Sequence, residues 1–254
     1  MKASDIQAVA GLLLMARREA APLAADRLAQ LPIASRADAY AIQERVAAEL
    51  GPVGAWKVGA PSPETEPARA PIQAAAIHAS PAVLPAAAFH RIGIEVEIAY
   101  RLGRDLPARQ APYSRAEVEA AIEAVLPAIE VVDTRLADHE AMGALWKLAD
   151  NQLNGGLVLG PPRADWRVVD PATQPVRLQV DGALVHEGRG GNAAGDPIRL
   201  LVWLANACGS HCGGLRRGQV VTTGTLTGLR FVAPGAEIHA ALPGLGEVAV
   251  SFPG

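Results

Sequence analysis

The spacing of apolar positions divides the chain into a helical N-terminal part and a longer part rich in short strands. In the first part apolar side chains recur at helical intervals, and Ser35-x-x-Asp38 is typical of a helix start. Beyond Gly51 the pattern changes to short β-like runs separated by glycine and proline. We therefore expect a helical cap over residues 1–50 and one larger domain, of a size typical of catalytic domains, over residues 51–254.

Two strands of the second part carry acidic side chains. Residues 93–102 show the alternation of a strand, so Glu95 and Glu97 project from the same face. If that face were exposed to solvent, the pair would indicate no function. Residues 114–126 predict a helix that Pro127 ends, and residues 128–134 predict a central strand.

Glu130 lies inside that central strand, in the apolar run AIEVV. A carboxylate in a strand buried on both faces must be paired or coordinated, because an unpaired buried charge is very costly. A divalent cation shared by Glu95, Glu97 and Glu130 would remove that cost.

Lys57 lies between Trp56 and Val58, in a run too apolar for an ordinary surface lysine. Such a lysine pairs with a carboxylate, receives an anionic ligand, or extends its ammonium group to solvent along an apolar surface. Residues 60–91, rich in Ala and Pro, predict a surface loop or a mobile flap over a site.

The C-terminal half predicts a hairpin at Asp181-Gly182, a helix over residues 197–209 and three further strands. Two polar segments interrupt it. In the first, Asp150 and Asn151 either form a turn or orient a ligand. The second is TTGTLTG, residues 222–228, which is either a hydroxyl-rich turn or a loop whose backbone amides approach an anion.

Composition narrows the classes of partner. The net charge is −3, and no cluster of basic residues is interleaved with aromatic residues, so we expect no nucleic-acid partner. The apolar stretch at residues 9–16 is too short for a membrane span and lacks the features of a secretory signal, so we expect no membrane partner and a cytoplasmic location. The two cysteines, Cys208 and Cys212, are interpreted as structural.

The order of motifs closely resembles the 2-keto-4-pentenoate hydratase family, within the fumarylacetoacetate hydrolase-like superfamily that includes the 4-oxalocrotonate decarboxylases. The resemblance spans residues 50–254 and rests on WKVG, IEVEIA followed by RLGRDL, LPAIEVVDTR, LADNxxxGGLVLG, WLAN, GQVVTTGTLTG, an FxxPG turn and GLGEVAVSF. It implies a mixed α/β fold with a rolled, barrel-like sheet, a homo-oligomer, and a small unsaturated 2-oxo acid as substrate.

The resemblance also implies roles for individual residues. Glu95, Glu97 and Glu130 would bind Mg²⁺ or Mn²⁺, Lys57 would be catalytic, and Thr225, Asp150 and Asn151 would contact or orient the substrate. The implied activity is hydration of a 2-hydroxy-2,4-dienoate in the catabolism of aromatic compounds, and the alternatives are a 4-oxalocrotonate-type decarboxylase, an acylpyruvate-type hydrolase and a binding protein with little turnover.

One departure from the family pattern affects the lysine. Many members carry an acidic residue between the lysine and the ExE strand, whereas residues 71–80 read PIQAAAIHAS. Glu64 and Glu66 lie too near Lys57 in sequence to be assigned that role, and His78 is a candidate substitute. A hydrolase would need a histidine paired with an acid, for which His78 and His139 are the candidates.

Overall fold

The computed structural model describes all residues from Met1 to Gly254, and its helices lie mainly at the N-terminus. They are α1 Ala3–Glu19, α2 Ala25–Ala29, α3 Arg36–Leu50, α4 Arg115–Glu119, α5 Ala144–Ala149 and α6 Pro197–Ala207. Ser35 caps α3 by accepting a hydrogen bond from the amide of Asp38, as predicted. The buried faces of α1 and α3 pack with Leu136 and Trp146 in one apolar cluster. The helices of the cap are confirmed, and its status as a separate domain stays a prediction.

The strands form two sheets. They are β1 Val53–Gly59, β2 Ala68–Gln73, β3 Ile77–Ala79, β4 Ala82–Val83, β5 Ile92–Leu102, β6 Ile122–Val132, β7 Asn154–Leu159, β8 Pro175–Val180, β9 Ala183–Arg189, β10 Val220–Thr225, β11 Arg230–Val232, β12 Glu237–Leu242 and β13 Gly246–Ser251. The larger sheet has the order β2-β1-β10-β5-β6-β7-β3, with β11 also paired to β5, and the smaller has the order β4-β13-β12-β8-β9. The mixed α/β fold is confirmed.

The larger sheet rolls around a small apolar cluster. Six of its strands each contribute one residue to this cluster: Ala55, Ile72, Ala99, Ala128, Leu157 and Val220. Half of them are alanine, because the inside of a tightly rolled sheet has little room for side chains. The roll is not a closed barrel, since β2 and β3 remain the two ends of the hydrogen-bonded order.

The opposite face of β5 and β6 is covered by the main core. Ile94, Val96 and Ile98 alternate with the glutamates of β5 and are at most 2% exposed, in a cluster that includes residues of the smaller sheet. Both faces of these two strands are therefore buried. Any charge that they carry toward the inside of the roll must find a partner there.

The predicted helix over residues 114–126 is wrong in its second half. Ser114 and Glu117 form the expected capping box, but α4 ends at Glu119 and β6 begins at Ile122. Residues 122–126 pair with β5 in a long antiparallel ladder, so sheet contacts override the local helical pattern. Pro127 lies within β6, where its carbonyl accepts a hydrogen bond from Gly160 just beyond the end of β7.

The predicted loop over residues 60–91 is also wrong in part, because three strands, β2, β3 and β4, lie within it. Strand β2 pairs antiparallel with β1, and residues 70–73 are buried. Strand β3 pairs with β7 and β4 pairs with β13. The small Ala and Pro side chains, which concealed any strand periodicity, are those that fit where the sheet rolls on itself.

The later elements follow the predictions closely. The hairpin at Asp181-Gly182 has both residues at positive φ, and Asp196 caps α6 at Ile198. Burial raises the pKa of Cys208 to about 11, and both cysteines are free thiols. None of the helices combines the length and the apolar character that crossing a membrane requires.

Candidate metal and substrate site

Neighbouring strands place the predicted site residues on one face of the larger sheet, inside the roll. Glu95 of β5 is directly opposite Glu130 of β6, and Lys57 of β1 is aligned with Thr222 of β10. Thr222 in turn is opposite Ala99, which lies two positions from Glu97 along β5. Residues opposite one another in a sheet project from the same face, so this register brings the polar side chains together.

These side chains border a cavity of about 380 Å³. The residues that line it come from β1, β5, β10 and four connecting segments, and they are Lys57, Val58, Gly59, Ala60, Glu95, Glu97, Gln152, Gly191, Asn192, Ala193, Thr222, Gly224, Thr225 and Gly228. Lys57 is the only cationic residue among them, and none is a histidine. The cavity is large enough for a small organic acid.

Three carboxylates meet beside this cavity, and two of them, Glu95 and Glu97, line it. Glu95, Glu97 and Glu130 each offer an oxygen within 4.8 Å of the others. Burial raises the pKa of Glu95 to about 7, with Lys57 opposing and Glu130 reinforcing the shift. The pKa of Glu97 is raised well above its usual value by burial, and next by repulsion from Glu130 and Glu95. The single positive charge of Lys57 therefore does not balance the three carboxylates.

The hydrogen bonds of Glu130 leave one of its oxygens free. Oε1 accepts from Lys57 Nζ at 2.5 Å and from the side-chain amide of Asn154 at 2.9 Å. Oε2 is buried and has no partner, although Glu130 is fully inaccessible to solvent. An orphaned carboxylate oxygen beside two other carboxylates fits a hard divalent cation, since Mg²⁺, Mn²⁺ and Ca²⁺ all prefer oxygen ligands.

Lys57 is held by two acceptors. Its Nζ donates to Glu130 and, at 2.9 Å, to the backbone carbonyl of Gln152. Burial acts to lower the pKa of Lys57, but attraction to Glu130 and Glu95 outweighs it and the pKa is raised. An ammonium group has three N–H donors, so one remains for the cavity.

The hydroxyl-rich segment belongs largely to β10, which lies between β1 and β5 in the sheet. Thr225 lines the cavity, and its hydroxyl accepts from the amide of Thr227 at 3.1 Å. Gly224, at φ 100°, donates its amide to Glu97 at 2.9 Å, so the loop also holds a carboxylate of the cluster in place. Thr222, which the sequence did not single out, is fully buried there with an unpartnered hydroxyl.

Asp150 and Asn151 lie behind the cavity wall and do not line it. Asp150 forms a buried ion pair with Arg135, at 2.5 Å from Nε to Oδ1, and Arg135 also donates to the carbonyl of Asn154 at 3.0 Å. Asn151 is 1% exposed and begins a turn that leads to Gln152. Their predicted contact with substrate stays a prediction, and their positions favour a supporting role.

Replacing Asp150 by asparagine is expected to destabilise the protein by about 3 kcal/mol, because it leaves the guanidinium of Arg135 buried without its main counter-charge. Urea unfolding would measure the change. The matched control is Asp105→Asn, whose pair with Arg216 has side chains 50% and 60% exposed. It should cost less than about 1 kcal/mol. Equal unfolding free energies for the two variants would contradict the prediction.

The other sequence candidates lie elsewhere. Glu64 and Glu66 are exposed, and His78 lies on β3 outside the cavity lining. His139 packs against Phe231, with ring centroids 6.1 Å apart. None of them is the acidic partner of Lys57, and neither histidine is positioned for the hydrolase alternative.

Asn154 and Gln152 join the site although the sequence did not single them out. Both lie in the LADNxxxGGLVLG segment, at positions where a polar residue in a turn is unremarkable. The only sequence signal was the concentration of amides between Asp150 and the glycines.

A larger cleft of about 830 Å³ lies between α4, α6 and the segment around Trp166. Most of its charged residues are paired with one another: Arg115 contacts Glu119 and Asp196, and Arg167 contacts Glu119. The carboxylate of Asp170 accepts hydrogen bonds from Ala172 and Thr173. None of its lining residues has an orphaned buried polar atom. The smaller cavity therefore has the stronger features of a ligand site.

Known proteins resemble this chain along much of its length. A 2-keto-4-pentenoate hydratase of Paraburkholderia xenovorans (strain LB400) is 32% identical over 169 residues, which are 66% of this chain and 62% of that protein. A 2-hydroxyhexa-2,4-dienoate hydratase of Comamonas testosteroni is 32% identical over 165 residues, or 62% of this chain and 59% of that protein. The similarity thus spans about three fifths of these relatives' length.

The fold matches solved structures. A 4-oxalocrotonate decarboxylase from Pseudomonas putida G7, complexed with magnesium and adipate, superposes with a TM-score of 0.87 at 24% identity, over 99% of this chain and 98% of that one. A fumarylpyruvate hydrolase from Pseudomonas aeruginosa, with Mn²⁺ and pyruvate, gives 0.58 at 19% identity, over 78% and 88%. The model of the fumarylacetoacetate (FAA) hydrolase C-terminal domain matches residues 42–252, and the chain therefore belongs to the fumarylacetoacetate hydrolase family.

Proposed function

We propose that this protein is a metal-dependent hydratase that adds water to a small 2-hydroxy-2,4-dienoate and yields a 4-hydroxy-2-oxo acid, in the catabolism of aromatic compounds. The observation that carries the proposal is the meeting of Glu95, Glu97 and Glu130 with Lys57 beside a cavity of suitable size. The names of the curated relatives support the reaction class.

Glu95, Glu97 and Glu130 would hold the cation, and Mg²⁺ or Mn²⁺ suits their all-oxygen donor set. When bound, a divalent cation would supply Lewis-acid stabilisation of the negative charge that develops on the 2-oxo oxygen of such a substrate. The orphaned Oε2 of Glu130 and the raised pKa values of its two neighbours support this assignment.

The protein's own groups supply the rest of the reaction. The third N–H of Lys57 is free to hold or transfer a proton in the cavity, on the strand next to Thr222. Thr225 and Thr222 offer hydroxyls to the substrate carboxylate. Protonation of the dienol at its terminal carbon, with loss of the enol proton, gives the 2-oxo-3-enoate. Water then adds across the conjugated double bond, its hydroxyl to C4 and its proton to C3.

A 4-oxalocrotonate-type decarboxylase is the second candidate. The close superposition over 99% of the chain favours it. Its substrate carries a second carboxylate, however, and Lys57, already paired with Glu130, is the only cation that lines the cavity. The geometry therefore favours a substrate with one carboxylate and a neutral far end.

The test is spectrophotometric. With Mg²⁺ added, the ultraviolet absorbance of 2-hydroxypenta-2,4-dienoate should fall as 4-hydroxy-2-oxopentanoate forms, and chelation of the metal should stop the reaction. If 4-oxalocrotonate releases CO₂ while the dienoate absorbance stays constant, the decarboxylase replaces the hydratase.

A cytoplasmic location and a homo-oligomeric assembly remain predictions from the sequence.

A further inference from the structure

The turn that ends at β7 has an unusual backbone. Asn151, Gln152 and Leu153 have φ values of 49°, 51° and 61°, so three consecutive residues other than glycine are left-handed. Each such residue costs on the order of 1 kcal/mol or more, and a run of them persists only where its surroundings enforce it. Strain of this kind concentrates at functional sites.

Three contacts hold this turn in place. The amide of Leu153 donates to the carbonyl of Asp150, and the carbonyl of Leu153 accepts from the amide of Asp133, both at 2.9 Å. The carbonyl of Gln152 accepts from Lys57. These contacts make Gln152 part of the cavity wall, beside the lysine.

Unpartnered polar atoms surround this end of the cavity. Nε2 of Gln152, Oγ1 of Thr222 and Oε2 of Glu130 are all buried and lack a hydrogen-bond partner. Buried polar groups are nearly always paired, so several orphans at one place indicate a bound ligand, ion or water. The cation proposed above accounts for Glu130 alone and leaves Gln152 unexplained.

The charge of the site suits a neutral donor at this position. Three carboxylates already face one lysine, so a further acid would add repulsion toward an anionic ligand. A carboxamide donates hydrogen bonds without carrying charge and without titrating. It can therefore bind an acceptor oxygen without repelling it.

We propose that Gln152 contacts the substrate directly, its carboxamide donating a hydrogen bond to an oxygen of the bound 2-oxo acid beside Lys57. The inference rests on the proposed function in one respect, that the cavity takes a 2-oxo acid. The left-handed turn serves to aim this side chain, and Gln152 is a determinant of ligand affinity that motif matching overlooks.

The test measures binding rather than turnover, with oxalate as the probe and the full-length protein loaded with Mn²⁺. Gln152→Gly removes the carboxamide and relaxes the left-handed backbone, and Gln152→Met keeps the length without the donor. Isothermal titration should show oxalate affinity about 10- to 100-fold weaker in both variants, as expected for one hydrogen bond to an anion. Mn²⁺ affinity should stay within about 2-fold of wild type, since Gln152 is no ligand of the cluster.

The matched control is Ala20→Gly. Ala20 is also left-handed, at φ 47°, but is exposed at the end of α1. It should leave oxalate binding unchanged, and neither glycine variant should lower the melting temperature. Unchanged oxalate affinity in either Gln152 variant, a parallel loss of Mn²⁺ affinity, or no oxalate binding by the wild type would overturn the inference. Gln152-dependent oxalate binding without turnover of any dienoate would uphold it while refuting the proposed hydratase.

Discussion

The Glu130→Gln variant is expected to lose high-affinity binding of Mg²⁺ and Mn²⁺ and at least about 1,000-fold in turnover, because the cation supplies several kcal/mol of charge stabilisation. Glu130 is fully buried, and its free Oε2 lies among the carboxylates of Glu95 and Glu97. The amide replaces that oxygen with a neutral group and removes one of three negative charges. Lys57 then competes more strongly for the remaining two.

Metal binding can be measured apart from activity. Mn²⁺ should raise the melting temperature of the wild type, since a ligand that binds only the folded state stabilises it. The Glu130→Gln variant should show no such shift. The matched control is Glu123→Gln, an exposed position on the same strand. If Glu130→Gln kept the Mn²⁺-dependent shift, the three glutamates would not be the metal ligands.

The sequence was most informative where local chemistry and tertiary structure agree. The alternation around Glu95 and Glu97 predicted their strand, and the apolar neighbours of Glu130 predicted a buried charge. Both predictions depend on a single segment each. The convergence of the three glutamates depends on the pairing of β5 with β6, which places Glu95 opposite Glu130. Before the structure, the cost of burying Glu130 and the resemblance to a family both pointed to a shared cation, but neither showed which strands bring the three side chains together.

The wrong predictions have a common cause. Residues 122–126 have a helical pattern, but all of them except Glu123 are buried in a central strand, where periodicity carries little signal. The Ala- and Pro-rich residues 70–73 are inside the rolled sheet, where small side chains indicate tight packing rather than a loop. In both segments the burial that fixes the structure is contributed by strands distant in sequence.

Within the site, the residues missed were those defined by backbone geometry. Gln152 reaches the cavity only because three successive residues are left-handed, a conformation that no local rule predicts for Asn-Gln-Leu. Asn154 orients Glu130 from a bulge at the start of β7. Conversely, the sequence made Asp150 a candidate for orienting a ligand, whereas in the structure its carboxylate forms an ion pair with Arg135.

Replacing Lys57 by methionine is expected to separate metal binding from catalysis. Turnover should fall about 100- to 10,000-fold, the range typical of losing a proton-transfer group. Metal affinity should be equal or higher, because the ammonium that competes for Glu130 is gone. Without metal the variant should be less stable by about 3 kcal/mol, since Glu130 is then buried without its partner. Saturating Mn²⁺ should recover most of that loss by supplying the missing positive charge.

Lys147→Met is the matched control, because Lys147 also follows a tryptophan but lies on α5, outside the cavity. It should retain turnover and the metal-dependent melting shift of the wild type. The informative quantity is the difference in melting temperature with and without Mn²⁺, which should be larger for Lys57→Met than for either the wild type or the control. A smaller difference would mean that Lys57 helps to assemble the metal site and does not compete with the metal for Glu130. The main role of Lys57 would then be structural.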